Sequence, residues 1–123
     1  MSNELTVSTS ASFVKGTKDV SLSYTGNKVT VSGGDYIRGT QTITLSGDWT
    51  QELDKGNITT IGYVTMKNLD ASSYVEFAAA NDGSNKMLKL KPGQSACFPS
   101  AVSTIYCIAE ADSVEVEYLI IED

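Results

Sequence analysis

Apolar and polar residues alternate with a period of two over most of the chain. Leu5, Val7, Ala11 and Phe13 interleave with Thr6, Ser8, Ser10 and Ser12, and Val20, Leu22 and Tyr24 interleave with Asp19, Ser21 and Ser23. Successive side chains of an extended strand point to opposite faces, so each apolar set marks one face of a strand. Gly26-Asn27 is a turn signal, with Val29 and Val31 as the returning arm of a hairpin that Gly33-Gly34 ends. Further extended segments are expected at Tyr36-Ile37 and at residues 41–46, where Ile43 and Leu45 alternate with Thr42 and Thr44. Others follow at 58–68, 74–80, 87–91, 95–98, 104–109 and 113–121.

The breaks between these segments carry turn chemistry. Gly47-Asp48-Trp49 interrupts the alternation, and residues 50–57 read as a polar loop that Leu53 anchors. Asn81-Asp82-Gly83-Ser84-Asn85 is the strongest turn signal, because Asp-Gly supplies the positive φ angles of a tight hairpin. Residues 69–73, Pro92-Gly93, Pro99 and residues 110–112 separate the remaining segments. An i, i+3, i+4 pattern never persists over three turns, and there is no room for the helices that parallel strands require. About nine or ten short strands with regular turns predict an all-β fold, an antiparallel β-sandwich of jelly-roll type.

At 123 residues, with 41% hydrophobic and 20% charged residues, the chain has the size and composition of one globular domain, 1–123. Residues 1–40 are richer in Ser and Thr than the rest, and fit outer hairpins of the sandwich, a looser outer sheet or a swapped arm. The net charge of −6, with only Arg38 and eight lysines, argues against nucleic acid as a partner. Lys86, Lys89 and Lys91 are too few for phosphate recognition and read as a solvated strand face. The start Met1-Ser2-Asn3-Glu4 lacks the pattern of a signal peptide, and the longest apolar runs are three or four residues, so no membrane association and folding in the cytosol are expected. In that compartment Cys97 and Cys107, on strands expected to be neighbours, read as two buried thiols rather than a disulfide or a metal site.

Candidate chemistry is sparse. There is no histidine, which removes the commonest general base and metal ligand and excludes a Ser-His-Asp triad. No phosphate-binding or dinucleotide-binding glycine motif is present. Glu115 and Glu117 project from one face of a strand and follow Glu110 and Asp112, which is the composition of a carboxylate pair or a calcium site. Without a calcium-loop spacing, the acids read as a solvated face that guards a strand edge. No enzyme activity and no cofactor are therefore expected. Trp49 with the tyrosines suggests a carbohydrate platform, against the commoner use of aromatics inside the fold. The last strand is more informative. Val114, Val116, Tyr118 and Ile120 share its core face, while the opposite face changes from Glu115 and Glu117 to Leu119 and Ile121. Leu119 and Ile121 are therefore candidate interface residues, covered by the N-terminal segment or by a neighbouring subunit.

The run Gly62-Tyr63-Val64-Thr65-Met66-Lys67-Asn68-Leu69-Asp70, leading to Tyr74-Val75-Glu76, is followed by Leu88-Lys89-Leu90-Lys91-Pro92-Gly93-Gln94 and by Phe98-Pro99. Taken with the acidic ending after Ala109, this order resembles small structural proteins of tailed bacteriophages, over about residues 41–123. The resemblance implies a virion protein assembled in the host cytoplasm, first of all a capsid cement or decoration protein. Its implied partners are the major capsid protein or other virion proteins, and copies of itself, as a trimer. A tail adaptor, fibre or host-attachment component is the alternative, and a small carbohydrate-binding module is a third reading of another class. Within the shared motifs, Asn68 and Asp70 are expected to bond nearby backbone in an Asx turn with Leu69 plugging the core beneath. Pro92-Gly93 suits a type II turn.

Overall fold

The computed structural model describes residues 4–44, 49, 51–111 and 113–123. The expectations for Leu45, the Gly47-Asp48 break, Thr50, Asp112 and the first three residues fall outside that set. The described chain is all-β, with ten strands in antiparallel sheets and no helix among the described residues. It divides into two compact units, Met1–Ser32 and Gly33–Asp123.

The first unit is a two-stranded hairpin of β1 (Leu5–Lys15) and β2 (Lys18–Val29). The turn expected at Gly26-Asn27 lies instead at Gly16-Thr17, between the paired Lys15 and Lys18. Gly16 takes φ +62°, and the positive φ at the first central position alone is the pattern of a type II′ turn, which matches strand twist. Gly26, at φ +67°, sits where the register shifts, and its N–H donates to the Ser8 hydroxyl at 3.0 Å. A glycine with positive φ thus marks a bulge as readily as a turn, and the strand runs on through it.

The second unit holds β3 (Tyr36–Thr44), β4 (Gln51–Glu52), β5 (Ile61–Asn68), β6 (Val75–Ala78), β7 (Lys86–Leu90), β8 (Ser95–Pro99), β9 (Tyr106–Ala109) and β10 (Ser113–Glu122). Tyr36-Ile37 and the segment from residue 41 belong to one strand, β3. Two four-stranded sheets result, ordered β3-β10-β5-β8 and β4-β9-β6-β7. The pairs β3·β10, β4·β9, β5·β8 and β6·β7 are the rungs of one long antiparallel hairpin. Its arms are β3–β6 and β7–β10, its tip is the turn at 79–85, and alternate rungs fall in alternate sheets. At the tip Gly83 (φ +82°) and Asn85 (φ 57°) supply the left-handed conformations.

Alternation then fills the space between the sheets. Ile120 pairs with Ile37 and Val64, Tyr118 with Met66, and Val114 with Ile43, all on one inner face. Val75, Phe77, Leu90, Cys107 and Ala109 supply the other, and these side chains form one buried cluster with Leu53, Ile58, Ile61 and Ile105. Leu53 does anchor its loop, with its N–H bonded to the Ile105 carbonyl at 2.8 Å. Gln41 and Gln51 tie β3 to the β4 segment: the Gln51 amide donates to Thr42 O, and Gln41 donates to Glu52 O and accepts from Asp54 N–H.

Two expectations are corrected here. Leu69 is 44% exposed and plugs nothing, because Val64, Met66 and Asn68 already occupy the inward positions and alternation turns the next residue outward. The cysteines are not neighbours: Cys97 lies on β8 of one sheet and Cys107 on β9 of the other, and both are free thiols.

Candidate functional site

The outward face of the β3-β10-β5-β8 sheet can be built row by row from the strand register. Ile121 lies between Tyr36 and Tyr63, with Pro99 beyond; Leu119 lies between Arg38 and Thr65, with Cys97 beyond. Glu117 lies between Thr40 and Lys67, and Glu115 beside Thr42. The face therefore grades from acidic and polar at one end to aromatic and aliphatic at the other. Leu119 and Ile121 are half-buried on this face, opposite the fully buried Val116 and Ile120. Tyr36 beside Ile121 is 67% exposed.

A shallow groove runs over this face, lined by Arg38, Thr65, Lys67, Ser95, Glu117 and Leu119 among others. Its floor is largely apolar and its rim carries both signs of charge. Such a surface fits a protein contact better than a small anion, since Glu117 lies beside Lys67. The Thr65 hydroxyl donates to the Cys97 sulfur at 3.3 Å within the same face. Leu119 and Ile121 are singled out by the sequence, whereas Tyr36, Tyr63 and Arg38, which share their face, are not. Nothing local indicates that these join the same patch, because strand pairing over long separations brings them there.

The Asn68 turn is a structural device. Asn68 is fully buried; its side-chain amide donates to Ser73 O and Leu90 O at 2.9 Å, and its carbonyl accepts Asp70 N–H at 2.8 Å. The Asp70 carboxylate accepts Ser72 N–H and Ser73 N–H, and these bonds hold its pKa below the usual carboxylate value. Gly93, at φ +79°, follows Pro92, and the Gln94 N–H donates to Lys91 O at 2.9 Å, the geometry of a type II turn. Gly93 N–H in turn donates to Asn68 O at 3.0 Å, so the two predicted turns are brought together.

Other candidates are dispersed. Trp49 lies against Gly83, where an added Cβ would meet the indole nitrogen, and the Lys86 ammonium lies 5.7 Å from its ring centre. Lys86 also pairs with Glu76 at 3.6 Å, and Lys89 lies 4.0 Å over the Tyr74 ring, so two of the three lysines of the short basic stretch are engaged with their own unit. Glu110 accepts Tyr74 N–H at 3.0 Å, away from the row that holds Glu115 and Glu117. Burial pushes the Cys107 thiol up to about 12, with the Glu52 charge adding to the effect. Among the described residues, no three metal-ligating side chains come together, and no helix is long and apolar enough to cross a membrane.

The hairpin presents a second surface. Phe13 pairs with Val20, Ala11 with Leu22 and Thr9 with Tyr24 on one face, while Ser10, Ser12, Ser21 and Ser23 occupy the other. Phe13, Val20, Leu22 and Tyr24 are about half exposed or more. Their alternation is visible in the sequence, but the pattern alone does not distinguish a covered face from an open one. Comparison with known proteins finds no matching family model, no matching curated protein and no matching solved structure.

Proposed function

We propose that this chain is a structural protein of a tailed-bacteriophage virion, a cement or decoration protein that binds the outside of the head shell. The observation that carries this reading is the wrapped pairing of β3 to β10, with sheet orders β3-β10-β5-β8 and β4-β9-β6-β7. That order supports a jelly roll, a fold shared by viral capsid proteins, lectins and cupins. Fold alone does not choose among these, so the surfaces must. A cupin-type metal centre is built from histidines, and this sequence has none. The lectin-like reading relies on Trp49, whose ring is flanked by Gly83 and Lys86 rather than offered as an open platform. What the molecule does offer is apolar, mixed-charge surface around Leu119 and Ile121, suited to a protein partner.

The major capsid protein is the partner this reading names, with the motif order over residues 41–123 as its second support. Purified particles of the phage that encodes the chain provide the test. Mass spectrometry is expected to find it at hundreds of copies per particle. A dozen copies or fewer would place it in the tail, as an adaptor, fibre or host-attachment component, and absence from the particle would end the virion reading.

A further inference from the structure

We infer that the outward face of the β3-β10-β5-β8 sheet closes on the same face of a second copy of this chain, about a two-fold axis that runs parallel to the strands between β10 and β5. The inference rests on the strand register of that face and does not need the virion reading, which particle composition tests separately.

The register lays out the face in rows. One row holds Glu117 on β10 beside Lys67 on β5, the next Leu119 beside Thr65, and the third Ile121 beside Tyr63. Glu117 and Lys67 are both exposed and, although cross-strand neighbours, form no ion pair with each other. A half-turn about an axis along the strands keeps every row at its own height and exchanges β10 with β5. Glu117 of each copy then faces Lys67 of the other, which makes two symmetric ion pairs at one end of the interface. Ile121 faces Tyr63 twice at the opposite end, and Leu119 covers Thr65 between them. On the outer strands Tyr36, 67% exposed, lies over Pro99 of the second copy.

Other axes break this match. A two-fold axis across the strands reverses the rows and sets the Glu117 carboxylate against Ile121, where the charge loses water without gaining a partner. An axis along β10 itself sets Glu117 against Glu117. Charge and apolar surface together therefore select one isologous arrangement, in which every contact is made twice. Sheets stacked in this way lie about 10 Å apart with their strands nearly aligned.

The strands β3, β10, β5 and β8 are 9, 10, 8 and 5 residues long. At about 3.3 Å per residue and about 4.8 Å between strands, the face is on the order of 500 Å², or about 1,000 Å² for the pair. That is the size of weak, reversible interfaces. Each copy carries a net charge of −6, but salt screens that repulsion beyond about 8 Å and leaves pairs in contact largely intact. Dimerisation is therefore reversible and rises with concentration.

Analytical ultracentrifugation of the full-length protein from about 5 µM to about 1 mM spans the relevant affinities. The weight-average mass is expected to rise from 13.1 kDa toward twice that value. Lys67→Glu and Glu117→Lys, each alone, put like charges in both pairs and should stay at the monomer mass. An equimolar mixture of the two should dimerise as the parent does, because each pair again joins an acid to a base. The double variant Lys67→Glu/Glu117→Lys should do the same, and it keeps opposite charges side by side within the sheet should a single variant fold poorly. Trp49 fluorescence melting checks that each variant is folded. A parent mass fixed at 13.1 kDa over the whole range, or single variants that associate as the parent does, would overturn the inference. A mixture of folded single variants, or a folded double variant, that stays monomeric would do so too.

Discussion

Asn68 and Leu90 lie on different sheets, and the side-chain amide of Asn68 donates to the Leu90 carbonyl at 2.9 Å in the buried interior. The same amide satisfies Ser73 O, and its carbonyl receives Asp70 N–H, so every polar atom of the side chain has a partner. A buried polar group costs little while paired and much when its partners are stranded.

Asn68→Leu is therefore expected to destabilise the second unit by about 2–4 kcal/mol, because two carbonyls and one N–H lose their partner together. Leu69→Ser, one residue on, should change stability by less than about 1 kcal/mol, since Leu69 is already exposed. Urea denaturation of the two variants gives the comparison. Equal effects would show that Asn68 is not the cross-sheet tie.

Gly83→Ala is expected to cost about 1–3 kcal/mol through backbone strain and overpacking. The residue holds φ +82°, and an added Cβ would meet the Trp49 indole. Thermal melting should show the loss, and Trp49 emission should shift to the red as the ring is pushed outward. An unchanged spectrum would mean that Trp49 does not rest on Gly83.

The two thiols should differ in the native protein. Cys97, half-buried on an outward face, reacts with an aromatic disulfide reagent at pH 8, and Cys107 reacts only after denaturation. Burial raises the Cys107 pKa from 9.0 to about 12 in the folded state. Below pH 9 the thiol is neutral in both states and its contribution is fully present. Between pH 9 and 12 only the unfolded state ionises, so stability falls by about 1.4 kcal/mol per pH unit. Cys107→Ala should remove that part of the alkaline slope; an identical slope in the variant would refute the assignment.

Leu119→Asp and Ile121→Asp are expected to weaken shell binding or oligomerisation more than they lower stability. Ile120→Ala, at a fully buried position beside them, should cost about 2–5 kcal/mol. Melting and light scattering of the three variants separate the roles. If Ile121→Asp melts as low as Ile120→Ala with its assembly unchanged, the outward side chains serve only the fold.

Strand identity was readable along the chain because alternation is local: Val114, Val116, Tyr118 and Ile120 declare the inner face of β10 without reference to any other segment. Asn68 and Pro92-Gly93 were likewise legible as turn chemistry, being short-range hydrogen bonding and fixed φ. Alternation turns Leu69 outward, although the turn reading placed it in the core. The pairing of β3 with β10 and β4 with β9 is settled only in three dimensions, because closing loops of such length is set by the whole core and not by neighbouring residues. The same closure put Cys97 and Cys107 on different sheets, and gathered Tyr36, Tyr63 and Arg38 around Leu119 and Ile121. In the hairpin, the sequence determined which face is apolar. Whether that face is covered depends on burial, which no stretch of alternating residues records, and there the structure leaves Phe13, Val20 and Leu22 exposed to solvent.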